Sequence, residues 1–368
     1  MIQELYPDVE TPALVVDWST VRANVSRMAG LARQRNTALR PHIKTHKLAA
    51  LARLQIDEGA LGITVAKLGE AEVMADHGLI DILVAYPIVG DHKIARLLDL
   101  AQRVRISVTV DSIEAGEALS HAAAKRAIRL PTLVEVDTGL HRCGVLPGAP
   151  AIALGRALSD LAGLNVIGIL THEGHAYAAD VPAGLRTATL NAAEAMAATA
   201  EQFETAGLTV DVVSMGSSGT ASTGIGQPRV TEFRPGTYVY NDRTQVALGA
   251  AHLEDCAATV LTTVVGRTSA GEVVLDAGSK TLTSDRMIVA HPPPTHGEVV
   301  GQPDWQVVRL SEEHGILGGP GIQALSIGAR VSIIPNHICP VVNLVDRVVV
   351  VDGDAHPLVS VDARGMSQ

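Results

Sequence analysis

With 368 residues, 47% apolar and 18% charged, the chain is a globular protein long enough for two cores. A formal net charge of −10 argues against general nucleic-acid binding, and no apolar run reaches the roughly 20 residues a membrane-spanning helix needs. Three widely spaced cysteines, Cys143, Cys256 and Cys339, exclude a disulfide framework and fit a reducing cytoplasm, while the acidic start MIQELYPDVETP has no signal-peptide apolar region.

Between about residues 13 and 240, short β-branched runs alternate with alanine-rich segments. Strands are predicted at 38–43, 61–66, 81–85, 104–110, 131–136, 165–170, 210–214 and 231–238. Helices are predicted at 49–58, 68–77, 113–127, 151–161 and 183–206, from apolar spacings of three and four. Eight such repeats fit a (β/α)8 TIM-type barrel. A doubly wound sheet fits less well, because no GxGxxG follows an early strand. The last repeat is the least regular, since Pro235 and Gly236 interrupt its strand. After about residue 250 come short runs at 258–265, 272–276, 287–290, 305–310, 330–334 and 347–351, with no convincing helix. The expected organisation is a barrel over 11–247 and a C-terminal all-β domain over 248–368, with residues 1–10 packing on the latter.

In such a barrel the chemistry collects where strands end. The octapeptide RPHIKTHK, residues 40–47, ends the first strand and holds Lys44 among cationic neighbours. Burial and positive neighbours lower a lysine's pKa toward the range in which its amine is a nucleophile for Schiff-base chemistry. The bland alternative is a basic surface loop. Tyr86 follows the third strand, DTGLHR with Arg142 the fifth, THEGH with His172 and His175 the sixth, MGSSGT the seventh and Arg234-Pro-Gly236 the eighth. Small residues such as Gly216, Ser217 and Ser218, with Gly236 beside them, can converge backbone N–H groups on an anion. Phosphate is often bound after strands seven and eight of a barrel, and lysine plus phosphate cradle implies pyridoxal 5'-phosphate. With only two Phe, two Trp and five Tyr in the chain, Tyr177, Tyr238 and Tyr240 near these motifs stand out.

On TPALVVD, RPHIKTHK, VDTGLHRCGV, SMGSSGT, FRPGTYVYND, LSEEHG and PNHICPVVNL, nearly the whole chain resembles the D-threonine aldolase/D-serine dehydratase family of alanine-racemase-like pyridoxal-phosphate enzymes. RPHIKTHK and the His-Ile-Cys motif, in that order, are its most specific parts. The resemblance makes Lys44 the lysine that carries the cofactor, with Lys47 in support, and Arg142 the arginine on the cofactor's phenolic oxygen. It puts the phosphate on Gly216, Ser217, Ser218 and Gly236, with Tyr238 a hydroxyl donor and Tyr177 beside the ring or structural. His337 and Cys339, read as residues i and i+2 of a strand, would face one ion. Imidazole plus thiolate suits zinc, with manganese or magnesium as alternatives. Cys143 and Cys256 have no such partner and read as core residues.

What the resemblance implies is a lyase of D-3-hydroxy amino acids, most like a D-threonine aldolase, with D-serine dehydratase as the alternative. The family's aldolases often carry His-x-Asp where this chain has His-x-Cys, the dehydratase form, so metal and reaction stay open. Both His172 and His175 are candidates for handling the 3-hydroxyl proton, His172 preferred because it directly follows the strand. An alanine racemase would need a second base and no metal, which LSEEHG and the His-Ile-Cys motif speak against. A non-catalytic cofactor-binding protein would be the barrel alone. The β-domain motifs would complete the site across a homodimer, with a small D-amino acid as the only other partner.

Overall fold

A computed structural model describes residues 6–368. The chain divides into two compact units. One comprises residues 26–44, 48–236 and 366–368, the other residues up to 25, 45–47 and 237–365. RPHIKTHK is therefore itself divided, its first five residues in one unit and its last three in the other.

The first unit is the barrel. Its parallel strands run Ala38–Leu39, Ile63–Val65, Asp81–Val84, Arg105–Val110, Leu130–Glu135, Leu164–Leu170, Val212–Met215 and Glu232–Phe233, each from the second onward hydrogen-bonded to the next. The last pairs with the first (Ala38 opposite Glu232), and a parallel bridge from His42 to Thr64 closes the ring. All eight predicted strands are present. The first and last are much shorter than expected. Pro41 and Pro235 have no N–H to give a ladder, and both chains turn into short 3₁₀ segments, Ile43–Thr45 and Thr237–Val239.

The scarcity of aromatics shapes the packing around the barrel. Both phenylalanines are fully buried, and each lies on glycine. A Cβ on Gly155 would stand 2.7 Å from Phe203, and Cβ atoms on Gly216 and Gly224 would stand 2.5 and 2.6 Å from Phe233. Around Phe233, alanines 29, 32, 192, 193 and 221 with Leu39, Met215, Ile225 and Val230 form one apolar cluster. The barrel interior is more polar. Buried Arg40 holds Glu232 at 2.7 Å and Asp81 at 2.5 Å, Ser214 donates to Glu232 at 2.6 Å, and Arg234 donates to Ser214 and to the Thr171 carbonyl. Buried charge is tolerated there because each group has a partner.

The second unit is built on a nine-stranded sheet in the order Val273–Leu275, Gly315–Gly318, Gln302–Leu310, Gly297–Val299, Arg330–Pro335, Ala258–Arg267, Ala13–Asp17, Arg347–Val351, Leu358–Ser360. Ala13–Asp17, placed with the barrel by sequence, lies instead inside this sheet. It pairs antiparallel with Ala258–Arg267 and parallel with Arg347–Val351. Its unbroken Leu14-Val15-Val16 run suits a strand covered on both faces, and all three residues are buried. The expected start of the barrel at residue 11 and its end at 247 thus both differ from the observed division. Of the residues expected to pack here, 1–5 lie outside the described residues, while the Tyr6 and Val9 carbonyls accept from Arg330. The region 287–290 is not a strand, and two short helices, Ser279–Leu282 and Ile338–Leu344, occur where none was expected. Among the described residues no helix is long and apolar enough to cross a membrane.

Candidate active site

At the C-terminal end of the barrel strands, Lys44 sits half-buried in the 3₁₀ turn after the first strand, locked by the fully buried Ile43. Its backbone N–H faces His42 Nδ1 at 3.4 Å. His42 and His172 are both held well below the usual imidazole range. Burial is the largest cause for each, followed by the charge of Lys44 and then of Arg234 and Arg142. Lys44, Arg142 and Arg234 thus act together with burial to disfavour the protonated form of both imidazoles at this end of the barrel. His172 also makes a backbone hydrogen bond to Gly216, in the loop after the seventh strand.

Arg142 is solvent-exposed, carried on a folded loop. Val136 bridges Val145, and Asp137 accepts the N–H groups of Gly139 (2.9 Å) and His141 (3.0 Å), the turn chemistry expected of an Asp followed by glycine. Burial raises the Asp137 carboxyl, but these hydrogen bonds outweigh it and hold it low. Gly144, at φ +101°, lets the loop close where a Cβ would stand 2.8 Å from Asp137 N. Beside this loop, burial and then Asp111 push the Glu135 carboxyl up, against Arg142 and Arg234.

The small-residue loop after the seventh strand is held from below by the fully buried Glu173. One carboxylate oxygen accepts the Gly216 N–H at 3.0 Å, and the other accepts the Thr220 hydroxyl. Thr220 Oγ1 in turn accepts the Ser217 N–H at 3.2 Å and lies 2.9 Å from Ser217 Oγ. Tyr177 OH accepts the Gly219 N–H at 2.8 Å, and Ser218 Oγ accepts the Gly236 N–H at 3.2 Å. The loop expected from sequence to cradle an anion differs from that expectation at Gly216. The Gly216 N–H is committed to Glu173, and Gly216 contributes space instead, its φ of +126° and the Phe233 ring excluding any side chain. Tyr177 supports this loop through its hydroxyl. His175 turns its ring toward Gly139, and its buried Nδ1 has no hydrogen-bond partner among the described residues.

A second constellation lies in the β unit. His337 and Cys339 do come together, but not on a strand. His337 is the extended residue capping Ile338–Leu344, and Cys339 is in that helix's first turn. Burial raises the Cys339 thiol, yet the neighbouring His337 imidazole and the Thr45 hydroxyl at 3.3 Å outweigh it and hold the thiol low. His337 is displaced the other way: burial lowers it, and Cys339, Asp242 and Asp285 more than reverse that. Its Nδ1 lies 2.9 Å from Asp285 Oδ2. Buried Asp242 accepts the N–H groups of Ile338 (3.0 Å) and Gln245 (2.9 Å), fixing the helix start. A nitrogen donor and a readily ionised thiol form a fitting pair for a soft divalent metal, although no group of three or more such donors occurs among the described residues. Tyr238 is buried in the turn Thr237–Val239 of this unit. Lys47 precedes the helix Ala49–Asp57 at φ +55°, its carbonyl accepting the Ala363 N–H.

Several residues here were not singled out from sequence: His42, Glu173, Arg234, Asp242 and Asp285. His42 and Arg234 stood inside quoted motifs, and their position beside Lys44 and at the eighth strand's end was an available signal. Glu173 and Asp242 also stood inside quoted motifs, and Asp242 caps the nearby Gln245 N–H, but nothing local signalled their reach to Gly216, Thr220 and Ile338, nor that of Asp285 to His337.

The family model described as alanine racemase, N-terminal domain, matches residues 16–244, and a serine dehydratase-type domain model matches residues 257–351. The D-threonine aldolase of Arthrobacter sp. is 33% identical, over 98% of this chain and 94% of its own. The crystal structure of D-threonine aldolase from Filomicrobium marinum superposes with a TM-score of 0.90 at 32% identity, covering 99% of this chain and 98% of that one. D-threo-3-hydroxyaspartate dehydratase from Delftia sp. HT23 gives a TM-score of 0.88 at 32% identity, over 96% and 97%. A cysteine-to-alanine variant of a dehydratase of the same name has been solved in a metal-free form.

Proposed function

We propose that this chain, which belongs to the alanine racemase N-terminal domain family of pyridoxal-phosphate enzymes, is a lyase of D-3-hydroxy amino acids whose main reaction is retro-aldol cleavage to glycine and an aldehyde. The observation that carries it is the set of cations Lys44, Arg142 and Arg234 around two neutral imidazoles at the barrel's end, above a loop built of small residues. A site with this charge fits an anionic cofactor with a phosphate. When bound, pyridoxal phosphate supplies an electron sink for bonds broken at the substrate's α-carbon.

In this reading Lys44 holds the cofactor through its amine and Arg142 faces its phenolic oxygen. The loop of Ser217 and Ser218, with Gly236 beside it, seats the phosphate, and Gly216 leaves room for it. His172 takes the proton of the 3-hydroxyl. Its depressed pKa keeps it neutral at physiological pH, and only the neutral ring can accept a proton. His175, whose Nδ1 has no partner among the described residues, is the other candidate. His337 and Cys339 would hold a divalent metal, zinc by the softness of their donors, and the chemistry it would supply is Lewis acidity toward the hydroxyl. Free Cys143, Cys256 and Cys339 support a reducing, cytoplasmic setting, and the assembly proposed is a homodimer.

A second reading, dehydration to a 2-oxoacid and ammonia, is favoured by Cys339 standing where the family's aldolases often have a carboxylate, and by the similarity to a dehydratase. Product analysis decides. D-threonine giving glycine and acetaldehyde supports the aldolase; D-threonine or D-serine giving an oxoacid and ammonia supports the dehydratase. No reaction with D-threonine, D-serine or D-3-hydroxyaspartate would remove both.

A further inference from the structure

We infer that Glu173 is a positioning residue that shapes the phosphate loop, and that it thereby sets this chain's preference for phosphorylated over unphosphorylated pyridoxal. The inference rests on the proposed cofactor and extends it to a residue that touches neither cofactor nor substrate.

Glu173 is fully buried, and both of its oxygens are used on one loop. Oε2 takes the Gly216 N–H and Oε1 takes the Thr220 O–H. A hydroxyl has one proton. With that proton on Glu173, Thr220 Oγ1 can only accept from Ser217, whose N–H and Oγ both reach it. The carboxylate therefore sets the direction of a short relay, Ser217 to Thr220 to Glu173, and pulls the Gly216 end of the loop inward. Tyr177, from the same segment after the sixth strand, holds Gly219 in the same way. Three loop N–H groups, those of Gly216, Ser217 and Gly219, are thus committed to the scaffold, which fixes the shape an incoming anion meets.

An acidic side chain beneath a phosphate seat is electrostatically unfavourable unless its charge is balanced. Arg234, itself buried, lies close enough for Glu173 to stabilise its guanidinium, after Glu232 and ahead of Glu135. A neutral apolar residue would avoid the charge but leave the Gly216 N–H and the Thr220 hydroxyl without acceptors. Geometry of the loop, rather than charge, is what Glu173 contributes.

Substitution Glu173→Gln tests this, because an amide has one acceptor oxygen where two donors point. Thr220→Val, which removes the hydroxyl at nearly constant shape, is the second variant. Each holoenzyme is equilibrated with graded pyridoxal against pyridoxal phosphate, reduced with borohydride, and the bound fraction of each form is read by intact mass. This competition reports a ratio of affinities, so a general loss of stability does not move it. The expected result is a ratio about tenfold lower toward the phosphorylated form in both variants, the scale of one buried hydrogen bond to a charged group. A ratio unchanged within about threefold in both would overturn the inference. Wild-type protein that carries no reducible adduct would overturn the proposed cofactor itself, which is a different outcome.

Discussion

Replacing Gly216 by alanine should destabilise the barrel unit by overpacking and by backbone strain together. The new Cβ would stand 2.5 Å from Phe233 Cδ1 and 2.6 Å from Cε1. Phe233 is fully buried and cannot swing away, because its far edge already lies against Gly224. Overpacking a closed core costs about 1–3 kcal/mol. The backbone at Gly216, φ +126°, adds strain of about 1–3 kcal/mol for a residue with a side chain. Together these predict a loss on the order of 2–6 kcal/mol, a large share of a typical stability of about 5–15 kcal/mol. Trp18 and Trp305 both lie in the β unit, so urea unfolding should be followed by far-UV circular dichroism, which reports the barrel's helices. A double variant with Phe233→Leu should recover about 1 kcal/mol or more of the loss, since the two residues touch. A Gly216→Ala protein within about 0.5 kcal/mol of wild type would refute the packing argument.

Three further outcomes follow from the same geometry. Asp285→Ala removes the acceptor at His337 Nδ1 and should weaken divalent-metal retention by about 10–100-fold, measured by elemental analysis after dialysis against graded chelator; unchanged retention would show that Asp285 does not orient the ring. His42 and His172 are depressed below the ordinary imidazole value of 6.5, chiefly by burial and then by Lys44. Their contribution to stability is therefore whole above that pH and is lost as pH falls toward their folded values, because the unfolded chain takes up protons that the fold refuses. The thermal midpoint of the cofactor-free protein should drop on going from about pH 7 to pH 5, and the drop should be shallower in His172→Gln; an equal slope in both would count against a neutral His172.

How much of this was legible in the sequence depends on the range over which each feature is determined. The barrel strands were readable because each is a local β-branched run, and their order brings Lys44, Arg142, His172 and the glycine loop to one end as expected. Ala13–Asp17 was misplaced because its run is as apolar as a barrel strand, and only its partners, Val349 and Thr259 across Val15, reveal its sheet. Strands as short as Gly297–Val299 and Gly315–Gly318, rich in glycine, carry too little pattern to be seen. His337 and Cys339 were paired for the wrong reason. Two-residue spacing suggested a strand, whereas Asp242, almost a hundred residues earlier, starts a helix between them by taking the Ile338 N–H. Glu173 shows the limit most clearly, because its role exists only once Gly216 and Thr220 are folded over it.

The account depends most on Lys44 as the residue that holds the cofactor. Borohydride reduction of the purified protein, followed by proteolysis and peptide mass mapping, tests it directly. A phosphopyridoxyl group on the peptide containing Lys44, absent from the Lys44→Ala protein, is the predicted result. The same group on Lys47 or Lys67, or a fully active enzyme with no lysine adduct, would contradict it.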